Sequence, residues 1–211
     1  MSDIQGNAHT AGTESSDYTQ RLTRLEKSGI KRLLPTQAPY RWNLRRLGLG
    51  RVLDVGCGIG RNLLNCEPGS VGVDHNAHSV ATCRERGLTA YTPDELAEAP
   101  DCGTGSFDSL LCAHVLEHLD EELGMTILDQ YLPLVKPGGS VVLITPQEAG
   151  YKTDATHVRF VDFDQLRRTA EKAGVTVART YSFPFPRSTG KVFPYNEFVL
   201  VGRTSAEPAT R

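Results

Sequence analysis

From Arg51 onward the chain alternates short apolar runs with stretches of helical period, and this alternation limits the possible folds more than any other feature. Residues 51–55, 70–74, 88–91, 107–112 and 140–145 read as buried strands. Residues 60–65, 77–86, 93–97 and about 121–134 read as the helices between them, the second closed by Gly87. A further helix is expected to take Asp164 as its N-cap and to run to Ala173, stopped by Gly174. That order predicts an α/β fold with a parallel sheet and helices on both faces, whose ligands bind at the carboxyl ends of the strands. The ending departs from the pattern. Residues 181–196 hold Pro184, Pro186 and Pro194 and no helical period, so the last two strands, 176–181 and 197–202, are expected to pair antiparallel, which needs no helical crossover.

With 211 residues, 39% of them apolar, the chain suits one domain with a real core and trimmings at its ends. Residues 1–17 and 204–211 are polar and read as loose tails, which leaves a domain over 18–203. Within it, leucines at helical spacing, interrupted by Gly29, Pro35 and Pro39, suggest two or three short helices over 18–47, placed as a lid before the first strand. The longest aliphatic run covers only residues 141–144, so no membrane span is expected. A net charge of -2 without a basic stripe argues against a nucleic-acid partner. Five cysteines, none in a C-x-x-C pair, follow a polar N-terminus without an apolar signal segment; reduced thiols in a cytoplasm are the expectation.

The most informative stretch is Val52-Leu-Asp-Val-Gly-Cys-Gly-Ile-Gly-Arg61. Glycines at 56, 58 and 60, between a strand and a helix, let the backbone approach a ligand that side chains would exclude. The spacing is not the nicotinamide fingerprint, because Arg61 stands where its pattern breaks and Asp54 precedes the first glycine. A carboxylate there repels a pyrophosphate but suits a ligand carrying an ammonium group, as S-adenosylmethionine does. Asp74 closes the second strand, where an acid can accept both hydroxyls of a ribose.

At this point the sequence resembles the class I S-adenosylmethionine-dependent methyltransferases of small-molecule type. The likeness rests on Leu53-Asp-Val-Gly-Cys-Gly-Ile-Gly60, Val71-Gly-Val-Asp74, Phe107-Asp-Ser-Leu-Leu-Cys-Ala-His-Val-Leu-Glu-His-Leu119 and Leu134-Val-Lys-Pro-Gly-Gly-Ser-Val-Val-Leu143, in the family's order and spacing over roughly residues 40–202. It implies a Rossmann-like, seven-stranded, mostly parallel sheet with helices on both faces and the last strand antiparallel. By position it implies that Asp54, Gly56, Cys57 and Gly58 line the methionine half of the cofactor and that Asp74 holds its ribose. His75 and Asn76 would flank the adenine together with the turn containing Asp94 and Leu96, and Ala113 and His114 would border the sulfonium. Relatives often carry an aspartate just after strand three; here Thr92 stands there and Asp94 follows two residues on.

Other residues admit two readings each. Cys57 sits where the turn needs a small residue, so packing is favoured over reactivity. His114-Val-Leu-Glu-His118 matches H-x-x-E-H, a zinc-peptidase signature when it lies on a helix, but a position directly after strand four disfavours that role and no metal is expected. His157 and Arg159, in the long loop after strand five, either orient the acceptor or pin the loop. Tyr40, Arg41, Trp42 and Asn43 either cover the cofactor or pack as a helix, and residues 181–195 either shape the pocket's far wall or serve as a rigid connector. The function expected is methyl transfer to a small-molecule oxygen or nitrogen nucleophile, with His157 or His114 as base where a hydroxyl must lose its proton. The rivals are a non-enzymatic binding module for the same cofactor, a nicotinamide-dependent oxidoreductase and a zinc peptidase.

Overall fold

The computed structural model describes residues 38–206; the expected tail over 1–17 and the helices expected before Ala38 lie outside them. Seven strands form one sheet in the order β3-β2-β1-β4-β5-β7-β6. They are β1 (Val52–Val55), β2 (Val71–Val73), β3 (Ala90–Tyr91), β4 (Phe107–Ala113), β5 (Val135–Pro146), β6 (Thr176–Phe183) and β7 (Glu197–Arg203). Strands β1 to β5 run parallel, whereas β7 lies antiparallel between β5 and β6. The chain moves outward from β1 through β2 to β3 and then returns to β4 on the other side of β1. The crevice at that reversal is where such sheets bind ligands.

Strand alternation divides the core in two. Leu53, Val55, Leu110, Cys112, Val141 and Leu143 face one layer, while Val52, Leu111, Ala113, Val142 and Ile144 face the other with Leu44 and Leu49. The helices are α1 (Ala38–Arg46), α2 (Ala77–Glu85), α3 (Pro93–Glu98), α4 (Glu121–Tyr131), α5 (Glu148–Tyr151) and α6 (Phe163–Lys172). Their starts follow local chemistry. Asn76 caps α2 by accepting from the N–H groups of His78 and Ser79, Thr92 and Glu95 form a reciprocal capping box on α3, and Asp120 accepts from Leu123 at the start of α4.

Several expectations need correcting. The helix expected over 60–65 is a single 3-10 turn, Leu63–Asn65, because Gly60 at φ +80° and the Pro68-Gly69 pair leave too few residues to nucleate an α-helix. Asp162, not Asp164, caps α6, accepting from the N–H groups of Asp164 and Gln165. Thr204 and Ser205, assigned to a tail by composition, are tied to the turn of β5: the Thr204 N–H donates to Gly139 and the Gly138 N–H donates to Ser205. Among the described residues no helix is long and apolar enough to cross a membrane.

Candidate active site

The turn after β1 bends because Gly56, Gly58 and Gly60 adopt φ of +69°, +52° and +80°. At Gly56 a side chain is excluded twice over, since a Cβ there would lie 2.3 Å from Cγ2 of Val115. The turn is fixed by Asp74, whose Oδ2 accepts from the Gly58 N–H at 2.8 Å while Oδ1 accepts from the Asn76 N–H at 2.9 Å. Asp54, in the strand just below, shares the sheet face of Val52, Leu111 and Ala113. Its carboxylate is 1% exposed and, among the described residues, its Oδ2 has no hydrogen-bond partner. Burial, with the charge of Asp74 second, pushes its pKa up to about 8. A buried carboxyl oxygen without a partner is costly, so this arrangement favours a cationic donor from outside the chain, which would also favour the ionised form.

Above the glycine turn opens a cavity of about 480 Å³, within the range that holds a cofactor-sized ligand. Gly56, Cys57, Gly58, Ala113, His114 and His157 all line it. Cys57 also packs against Val80, Cys83 and Ala90, and a hydrogen bond with Cys83, reinforced by burial, keeps its thiol protonated. The adenine-side residues are placed differently. His75 is exposed, 3.6 Å from Asp74; Asp94 is exposed on the first turn of α3; Leu96 is buried in the core; the Asn76 side chain is spent on the cap of α2. Thr92 is likewise occupied by its capping box.

His114 ends β4 at φ +60°, a conformation that costs a non-glycine residue energy and tends to persist where a site demands it. Its Nδ1 lies 3.2 Å from Oε1 of Glu117 and its Nε2 2.9 Å from Oε1 of Glu197. Burial alone would lower its pKa, but hydrogen bonds to the two carboxylates, and their charges, push it up to about 10. This setting favours the imidazolium form, which can donate from both nitrogens. The same geometry overturns the zinc-peptidase reading: residues 114–118 form no α-helix, only the 3-10 turn Leu116–His118, and both nitrogens of His114 are engaged by carboxylates.

His157 keeps a free position. Its Nδ1 is 2.7 Å from the Tyr151 carbonyl, which can only accept, so Nδ1 donates there and Nε2 is the nitrogen outside that bond. Its ring stacks on Tyr151 and meets His118 edge-on at 4.7 Å. Tyr40 and Asn43 line the cavity from α1, whereas Trp42 stacks on Phe183 and is 57% exposed. Pro194 and Tyr195 form part of the far wall, as one reading of the proline segment anticipated. Glu197 was not singled out from the sequence. The antiparallel insertion of β7 carries its first residue to the carboxyl ends of the parallel strands, with Glu197 opposite Pro146.

Comparison with known proteins agrees with this architecture. A family model described as a methyltransferase domain matches residues 13–180. A SAM-dependent methyltransferase from Archaeoglobus fulgidus superposes with a TM-score of 0.60 and 21% identity, covering 78% of this chain and 93% of that one. The magnesium protoporphyrin IX methyltransferase of Synechocystis PCC 6803, solved with bound SAH, gives a TM-score of 0.65 at 17% identity over 93% of this chain and 98% of its own. Among curated proteins no sequence matches. The chain belongs to the methyltransferase-domain family, and its sheet is that of the class I S-adenosylmethionine-dependent methyltransferases.

Proposed function

We propose that this protein transfers a methyl group from S-adenosylmethionine to a small-molecule oxygen or nitrogen nucleophile bound in the cavity between the glycine turn and His157. The observation that carries the reading is the buried Oδ2 of Asp54, unpartnered among the described residues, beneath a turn whose Gly56 leaves no room for a side chain. The residues fit the cofactor. Asp54 offers its oxygen to the ammonium group, Gly56, Cys57 and Gly58 admit the methionine half, and Asp74 keeps lone pairs for the ribose while holding the turn. His75 and the first turn of α3 with Asp94 border the adenine side, with Asn76 and Leu96 acting there through the cap and the core they build.

When bound, the cofactor supplies a methyl group made electrophilic by its sulfonium. The chain's own work is alignment and charge. Ala113 and His114 stand at the end of β4, where two acidic side chains, Glu117 and Glu197, flank His114. Holding a nucleophile in line at about 3 to 3.5 Å accounts for roughly 7 to 11 kcal/mol of barrier lowering without a covalent intermediate. For a hydroxyl acceptor, Nε2 of His157 takes the proton; an amine with a free lone pair needs no such step. Isothermal calorimetry with S-adenosylmethionine, followed by S-adenosylhomocysteine release across hydroxyl and amine acceptors, tests the proposal. Absence of cofactor binding defeats it.

A further inference from the structure

On the wall formed by the 3-10 turn after β4 and the loop after α5, Glu117, His118 and His157 each bring a potential ligand atom within 4.8 Å of those of the other two. The backbone holds them there. The Glu117 carbonyl accepts from the N–H groups of Val158 and Arg159 at 2.9 and 3.1 Å, which straps the loop bearing His157 to the turn bearing His118. His118 Nδ1 lies 3.2 Å from the Thr156 carbonyl, as His157 Nδ1 lies 2.7 Å from that of Tyr151. Because carbonyls only accept, each Nδ1 is the donor of its ring, which leaves Nε2 as the nitrogen able to meet a ligand. A backbone carbonyl on one ring nitrogen is the arrangement that orients histidines for a metal on the other. The third member is a carboxylate: Glu117 is 0% exposed, its Oε1 is held by His114 and, among the described residues, its Oε2 has no partner. Arg159, though its backbone docks on Glu117, leaves Nε and Nη2 unpaired and makes no hydrogen bond to that carboxylate. Two imidazoles thus converge with a buried carboxylate whose Oε1 is met by His114 and whose Oε2, among the described residues, has no partner.

The geometry points to a divalent transition-metal site formed by Glu117, His118 and His157, with its remaining coordination positions open to the cavity. Two imidazoles and one carboxylate suit Zn²⁺, Mn²⁺ or Co²⁺ better than Ca²⁺, whose sites are built from oxygens. Three protein ligands leave the ion able to exchange a further one, and small rotations of the two rings bring the ligand atoms toward bond lengths of about 2.0 to 2.2 Å. The ligand set differs from that of the H-x-x-E-H motif, which pairs His118 with His114, and it reverses the expectation that no metal binds. What the open positions receive rests on the methyl-transfer reading: a hydroxyl oxygen of the acceptor, which the ion would bind as the alkoxide, its proton passing to solvent water, while His157 serves as a ligand instead of a base. The site itself does not depend on that reading.

The test uses the whole chain without an affinity tag, stripped by a chelator and titrated with Co²⁺ and then Zn²⁺. One Co²⁺ per chain with visible ligand-field bands, displaced by Zn²⁺, is expected. His118→Ala and His157→Ala should each weaken Zn²⁺ binding at least about tenfold, the double variant should abolish the bands, and circular dichroism checks that each variant is folded. Absence of a stoichiometric Co²⁺ spectrum, or Zn²⁺ affinity unchanged in both histidine variants, overturns the site. Calorimetry with S-adenosylmethionine on the same samples separates the two proposals, since loss of cofactor binding with metal binding intact defeats the methyl-transfer reading alone.

Discussion

Nε2 of His114 sits 2.9 Å from Oε1 of Glu197, two residues 83 positions apart that meet only because β7 runs antiparallel beside β5. The pair ties the end of β4 to the start of β7 across the mouth of the cavity. Glu197→Gln keeps the shape and removes the charge, so His114 loses one of its two anionic partners. Because the His114 side chain is 44% exposed, the expected loss of stability is modest, about 1 kcal/mol, read as a lower urea midpoint with unchanged slope. On the proposed reading the change lies on the acceptor side, so turnover should fall more than cofactor affinity.

Asp54 predicts a pH dependence of opposite sign for folding and for binding. Its native pKa, pushed up to about 8 from 3.8, means that the folded chain holds a proton which the unfolded chain has released. That contribution to stability is complete below pH 3.8 and is lost as pH rises toward 8, a decline that Asp54→Asn should flatten in denaturation curves measured across this window. A cationic ligand prefers the ionised carboxylate, so affinity for S-adenosylmethionine should rise with pH up to about 8 and then level off. Calorimetry at pH 7 in buffers of different ionisation enthalpy should register proton release on binding, and Asp54→Asn should abolish both the release and the slope.

Gly56 and Gly48 make a controlled comparison. Both have positive φ, +69° and +60°, but a Cβ at Gly56 would strike Val115 whereas one at Gly48 meets nothing within 4 Å. Gly48→Ala should cost only the backbone strain, about 1 to 2 kcal/mol. Gly56→Ala adds overpacking of about 1 to 3 kcal/mol and should also weaken cofactor binding. Equal thermal shifts in the two variants would count against the close approach at Gly56.

Removing Asp74 should act on fold and ligand together. Asp74→Ala frees the N–H groups of Gly58 and Asn76, loosening the turn, and is expected to weaken cofactor binding by at least about tenfold, since each hydrogen bond to a charged group contributes roughly 1.5 to 3 kcal/mol. Asn76→Ser, which retains an oxygen for the α2 cap, should change stability by only a few tenths of a kcal/mol, whereas Asn76→Ala should lose about 1 kcal/mol. Thermal denaturation of the three variants checks the order.

The parts of this fold that were legible in the sequence are those set by local rules. The glycine turn, the acids at 54 and 74 and the parallel strand order depend on residues close together in the chain, and motif spacing carried them. The antiparallel ending was legible through its prolines. What escaped depended on distant partners. Nothing near Glu197 marks it as part of the cavity, because its role comes from sheet order. Asp162 and Asp164 both resemble caps, and only the backbone path decides between them. Glu117 and His118 were visible as a motif, yet the motif implied a helix, and the departure of His114 into the left-handed region sends the two histidines to different partners.

The insertion of β7 between β5 and β6 also bears on how the molecule comes into being. Glu197 is the highest-numbered residue on the cavity wall, so a ribosome delivers every other wall residue before it. A nascent chain halted ahead of Glu197 has an unpaired edge on β5 and a pocket missing one side. The Glu197 side of the cavity is therefore the last part of its wall to be made.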